Sequence, residues 1–380
     1  SAPGGKKKSA VTLSTAPSIE DLSDLTSNLI SSADIDVASL PLITNTTLTT
    51  SNSNSNTTNL ASDEASSLPQ STMSASEANH LFTALRKAAN HPLLLRVRYT
   101  DPAVLTKIAM ITYSVGHFGN QCDFQRVQDE INTFSDFDIH QLCLEYDALN
   151  SLQLTEDVLY DSPKMHWLKD NLPKLKSDGH RVLVFSQWTR LLDLLEVLLQ
   201  DINLTYLRLD GSTPVKQRQD LIDTFNTDTS IPVFLLSTKA GGLGINLTAA
   251  DTVVLHDLDF NPENDKQAED RCHRIGQTKP VTVYKLFAKD SVDEDIFEMG
   301  ERKSKLSKAV LQDDRAVAKG DGTPADGKKG KGRGKNKEHT GEGNEGAADQ
   351  DPEASGAAIS SILQKALMKR VQKLQQESQQ

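Results

Sequence analysis

FLLSTKAGGLGINLTAAD (234–251) and VVLHDLDFNPENDKQAEDRCHRIGQ (253–277) decide the fold. Each opens on a continuous apolar run, VFLL and VVLH, and each run ends in small or polar residues. Such runs mark strands buried on both faces, which occur in parallel sheets covered by helices on either side. The stretch after VFLL is rich in glycine and small residues, so backbone amides can approach phosphates closely. A dinucleotide fingerprint is a competing reading, but Leu247 stands where glycine or alanine is required.

The pattern extends outward in both directions. Strands are predicted over 181–185, 206–209, 232–236, 252–256 and 281–287. Helices are predicted over 163–175, 188–200, 215–225, 262–274 and 292–311. Strand and helix alternate, so the class is α/β, a parallel sheet with helices on both faces. Function in such sheets sits in loops beyond the carboxyl ends of the strands. Here those loops begin at Ser186, Asp210, Ser237 and Asp257.

All 19 aromatic residues lie between Phe82 and Phe297. Segments without aromatics rarely bury enough apolar surface to offset the entropy of ordering. Residues 1–76 hold 35 Ser, Thr or Asn and are expected to be a disordered arm. Within that arm IEDLSDLTSNLI (19–30) has helical spacing and could fold on a partner. Residues 77–160 read as a helical linker region and 161–311 as the α/β lobe. Residues 312–356, with a basic block KKGKGRGKNK (328–337), read as a disordered tail, and 357–380 as a docking helix.

Several classes are excluded. No apolar run approaches the ~18 residues of a membrane helix. Three cysteines without a C-x-x-C pair argue against a disulfide framework or a zinc site, and no metal ligands are assigned. The net charge of −11 does not announce a nucleic-acid binder, so any such surface is local. The chain begins at Ser rather than Met, as a fragment or processed product would.

Three constellations can carry chemistry. Gln267, Asp270, Arg271, His273, Arg274 and Gln277 fall on the predicted 262–274 helix and its exit. Arg271 and Arg274, three apart, would share a helical face. Two guanidiniums on one face can neutralise charge on a transferring phosphoryl group, and a solvated charged helix is the bland alternative. Thr238 and Lys239 add a hydroxyl and a charge to the glycine-rich loop. Ser186-Gln187 and Asp210-Gly211-Ser212-Thr213 can grip a nucleic-acid backbone or merely cap helices.

Together RVLVFSQ (181–187), YLRLDGST (206–213), the two stretches quoted first and LRKAANHPLL (85–94) resemble one family. They are similar to motifs IV, V and VI of superfamily 2 helicase-type motors, in the SWI/SNF-like branch. The phrasing comes nearest to the DEAD/H-box-containing SWI/SNF-related chromatin regulators. RIGQ is typical of that branch, and Phe260 stands where many relatives have tryptophan. The resemblance covers about 81–311.

It implies a RecA-like second helicase lobe of an ATP-dependent DNA translocase that remodels nucleosomes in the nucleus. Arg271 and Arg274 would be arginine fingers. Gly244 and Asn246 would line ATP, with Gln267 coupling the nucleotide and DNA sites. Ser186, Gly211, Ser212, Thr238, Lys239 and Gly242 would touch phosphates of double-stranded DNA. The partners implied are DNA, nucleosomes with their histones, and an N-terminal lobe that holds Mg2+. Neither the G-x-x-x-x-G-K-[ST] phosphate loop nor an acidic magnesium motif occurs in this sequence. This chain alone is therefore expected to be inactive. A non-enzymatic chromatin scaffold is the alternative.

Overall fold

The computed structural model describes residues 7–13, 75–119, 121–241 and 244–317, together with Ile359, Ile362, Leu363 and Lys365. Six strands form one sheet: β1 (Lys7–Leu13), β2 (Val182–Ser186), β3 (Tyr206–Leu209), β4 (Val233–Ser237), β5 (Thr252–Leu255) and β6 (Thr282–Ala288). Their order is β1-β6-β5-β2-β4-β3 and every pairing is parallel. The parallel α/β architecture expected from the apolar runs is the one observed.

The central strands split their side chains between two cores. Leu183 and Phe185 of β2, Phe234 and Leu236 of β4, and Val253 and Leu255 of β5 pack on one face. Val182, Val184, Val233, Leu235 and Val254 pack on the other. This is the two-residue period of a strand, with both faces apolar because helices cover both. Helices α1 (Ala75–Asn90), α8 (Val215–Thr227) and α11 (Val292–Val317) contribute Phe82, Phe225 and Ile296 to the first core. Helices α6 (Pro163–Ser177) and α7 (Thr189–Asp201) contribute Leu168, Leu191 and Leu195 to the second.

The predicted short helices of 101–160 are α2 (Pro102–Ser114), α3 (Phe124–Thr133), α4 (Asp136–Glu145) and α5 (Glu156–Leu159). They have their own core around Ile108, Ile131, Ile139 and Leu149. Buried Asp136 tethers this unit to the stretch after α1, accepting from the amides of Val97, Arg98 and Tyr99 at 2.9–3.1 Å.

Four departures from the sequence reading stand out. Residues 7–13, read as part of a disordered arm, form β1, paired along seven residues with β6. The bonds are made by backbone, so a polar composition does not forbid them. After β4 the chain enters a single helical turn, α9 (Thr238–Gly241), where a loop was expected. Helix α10 (Pro262–Glu269) stops five residues before the expected end. In the tail Ile362 and Leu363 are buried in the first core, where a docking helix was expected.

Candidate functional site

A parallel sheet places all its strand exits on one edge, and the four loops read from sequence lie there. The β2 exit is organised from below. Asp257 is 3% exposed, and Ser186 donates its hydroxyl to Asp257 Oδ2 at 2.5 Å. The Gln187 amide donates to the same carboxylate. Burial holds the Asp257 carboxyl above the usual carboxylate range, against the opposing pull of the Ser186 hydroxyl and the Arg86 charge. Ser186 itself is fully buried, and its Oγ also accepts from the Trp188 amide. The sequence reading that put Ser186 on DNA phosphates is corrected: its hydroxyl shapes the loop from inside.

At the β3 exit Asp210 Oδ1 accepts from both the amide and the hydroxyl of Ser212, at 2.8 and 2.6 Å. Arg208 bridges Asp193, Glu196 and Asp210. Burial alone would raise the Asp210 carboxyl, but Ser212 and Arg208 hold it below its ordinary value. The turn leaves Gly211 and Ser212 exposed, with open space where a Gly211 side chain would begin. At the β4 exit Ser237 Oγ accepts from the Ala240 amide, closing the α9 turn. Thr238 is half-buried and Lys239 exposed. Gly242 lies outside the described residues.

The last constellation is knitted to the loop after β4 by a set of inward-turned bonds. Gln277 Nε2 donates to the carbonyls of Thr248, Ala250 and Cys272. The buried Cys272 thiol donates to the Ala250 carbonyl at 2.7 Å. The Leu247 amide donates to the Arg271 carbonyl at 3.2 Å. These contacts pull residues 270–277 off the helix axis, which is why α10 ends at Glu269. Arg271 and Arg274 therefore do not share a helical face; they sit on consecutive turns.

The outcome nevertheless brings the two motifs together. Arg274 Nη1 donates to the Gly244 carbonyl at 2.7 Å. Gly244 takes φ +73°, a conformation a side chain would strain, and open space lies where that side chain would begin. Asn246 is exposed, and its carbonyl accepts from Asn226. Arg271 is 4% exposed; burial, then the nearby Arg274 charge, pushes its guanidinium below the ordinary value. Gln267 is exposed on α10. Arg271, Arg274, Gly244 and Asn246 thus form one uncrowded, cation-bearing corner.

Sequence reasoning missed a buried node below this edge. Lys164 is fully buried and donates to Asp293 Oδ2 at 2.5 Å, Asn90 Oδ1 at 2.8 Å and the His256 carbonyl at 2.9 Å. It joins α6, α1, β5 and α11. The available signal was a lysine spaced with Trp167 and Leu168 on one helical face.

This sheet and its joined exits define a helicase-type C-terminal lobe. Residues 163–276 match the helicase conserved C-terminal domain, and the chain belongs to the SWI/SNF-related chromatin-regulator family. It is similar to "Protein CHROMATIN REMODELING 19" of Arabidopsis thaliana, 52% identical over 238 residues, 62% of this chain and 31% of that protein. The Homo sapiens "SWI/SNF-related matrix-associated actin-dependent regulator of chromatin subfamily A containing DEAD/H box 1" is 46% identical over 252 residues, 66% of this chain and 24% of that protein. Among solved structures, the C-terminal part of the Fun30 ATPase domain aligns with a TM-score of 0.62 at 33% identity, covering 79% of this chain and 90% of that one. The chain spans less than a third of the length of these two curated relatives. No described helix is long and apolar enough to cross a membrane.

Proposed function

We propose that this chain is the C-terminal motor lobe of a nuclear, ATP-dependent DNA translocase that remodels nucleosomes. Its ATP site is shared with an N-terminal lobe that supplies the phosphate loop and the Mg2+ ligands. The observation that carries this reading is the Arg274–Gly244 bond, which sets a half-exposed guanidinium beside an open glycine-rich loop. A corner of this kind fits a polyanion: it offers positive charge and uncrowded backbone.

Bound ATP supplies the phosphoryl transfer that drives motion. Arg271 and Arg274 supply fixed positive charge at this edge, Arg274 oriented by Gly244 and Arg271 by its burial. Gly244 and Asn246 line the nucleotide, and Gln267 couples it to the DNA-facing loops. Gly211, Ser212, Thr238, Lys239 and Gly242 face the phosphates of duplex DNA, whose contacts carry no sequence information. Residues 77–160 act as a helical linker region to the lobe at 161–311. Residues 312–356 act as a tail leading to a docking helix at 357–380.

The test is made in the longer parent protein. Arg274→Ala lowers ATP turnover by about 10³–10⁵, the range for a lost arginine finger. Nucleosome binding and thermal stability stay near wild type. Arg274→Lys does not rescue, because lysine keeps charge but loses the planar fork. Unchanged turnover in Arg274→Ala overturns the reading in favour of a scaffold.

A further inference from the structure

A cleft of about 920 Å³ opens between the helical unit and the lobe. Its floor is the β2 exit and the start of α7, and its walls come from α1, the stretch after it, and the α3–α4 junction. Lys87, Arg96 and Arg190 line it against one carboxylate, Asp138. Arg190 is already paired with Asp138 and Asp193, so Lys87 and Arg96 are its surplus charge. Phe134 and Trp188, with leucine and valine side chains from 94–97, make the rest of the wall apolar. The Trp188 ring lies 5.7 Å below Lys87 Nζ, and its indole Nε1 is buried with no hydrogen-bond partner among the described residues. No side chain caps the N-terminus of α7.

We propose that this cleft holds a segment of the same chain, IEDLSDLTSNLI at 19–30. The segment carries Glu20, Asp21 and Asp24 and no basic residue, the opposite of the cleft's surplus. Leu22, Leu25 and Leu29 recur at helical spacing and match the apolar wall. A phosphate backbone would satisfy the cations but leave Phe134 and Trp188 unused.

Connectivity supports the same occupant. β1 ends at Leu13, and being parallel it ends on the edge of the sheet where β2 also ends. Three strand spacings separate β1 from β2, about 14 Å in all. Residues 14–18 can span up to about 17 Å. At its far end the intervening chain rejoins α1, whose His80 and Lys87 line the cleft. Both ends of the connection thus lie on the cleft's side of the sheet.

The test is amide hydrogen exchange on the full 380-residue chain. Amides of 19–30 are protected in wild type. Lys87→Glu with Arg96→Glu reduces that protection by about tenfold, on the scale of a lost charge pair in a partly desolvated interface. Adding Asp21→Lys and Asp24→Lys to this double variant restores it, which a misfolded cleft does not allow. Unprotected 19–30 amides in wild type overturn the proposal, as does protection indifferent to both charge reversals. So does duplex DNA that protects residues 132–135 while leaving 19–30 unprotected, since the cleft then takes a phosphate backbone instead.

Discussion

Lys164 and Asp293 meet at 2.5 Å with side-chain exposures of 0% and 5%, although 129 residues separate them in the chain. Both ends of the α/β lobe are thereby fastened to each other through its interior. A buried charge that loses its partner is strongly unfavourable, whereas removing both charges together is far better tolerated.

Lys164→Met is therefore expected to destabilise the fold by about 3–5 kcal/mol. The double variant Lys164→Met with Asp293→Leu recovers part of the loss. It does not recover all of it, because Asn90 and the His256 carbonyl also lose a donor. Urea unfolding of the two variants and wild type measures the difference.

Asp265 gives a pH dependence of definite sign. Burial, the largest influence, raises its carboxyl to about 7 from an ordinary 3.8. A raised folded-state value means the folded protein binds this proton more tightly than the unfolded chain. The resulting stability is complete below about pH 4 and is lost as pH rises through 7. Asp265→Asn keeps an oxygen to accept from the Asp259 amide but carries no charge. It is expected to be more stable than wild type by on the order of 2–4 kcal/mol at pH 8. The advantage vanishes toward pH 4 in thermal melts across that range.

Ser186→Ala separates the internal role of this hydroxyl from a DNA contact. Asp257 loses one of its donors in a buried setting, so a cost of about 1–3 kcal/mol is expected. The salt dependence of duplex binding stays as in wild type, since no phosphate contact is lost. A shallower salt slope with unchanged stability contradicts the structure.

Two neighbours in the tail should behave differently. Leu363 is 4% exposed, and Leu363→Ala is expected to cost about 2 kcal/mol or more. Lys365 bridges Asp295 and Glu298 but its side chain is 44% exposed, so Lys365→Ala costs under about 1 kcal/mol. Denaturant midpoints of the two variants decide this.

What was legible in the sequence follows from the range of the forces involved. The central strands were readable because a strand buried on both faces must be apolar throughout, as VLVFS and VFLLS are. The end of α10 was not, because Gln277 and Cys272 stop it by bonding to carbonyls at 248–250. Ser186 read as a ligand because the aspartate that engages its hydroxyl lies 71 residues away. The glycine-rich loop and the arginines were each visible. Their meeting through Arg274 and Gly244, 30 residues apart, was not.

The pairing of β1 with β6 also bears on mechanical load. The strands run parallel, and α11 leaves from the end of β6. A pull on the chain ahead of Lys7, resisted at α11, acts on opposite ends of the two strands. Their seven paired residues are then loaded in shear, so the bonds resist together rather than parting one after another. Tension entering from that side reaches the sheet as a whole before any single strand peels away.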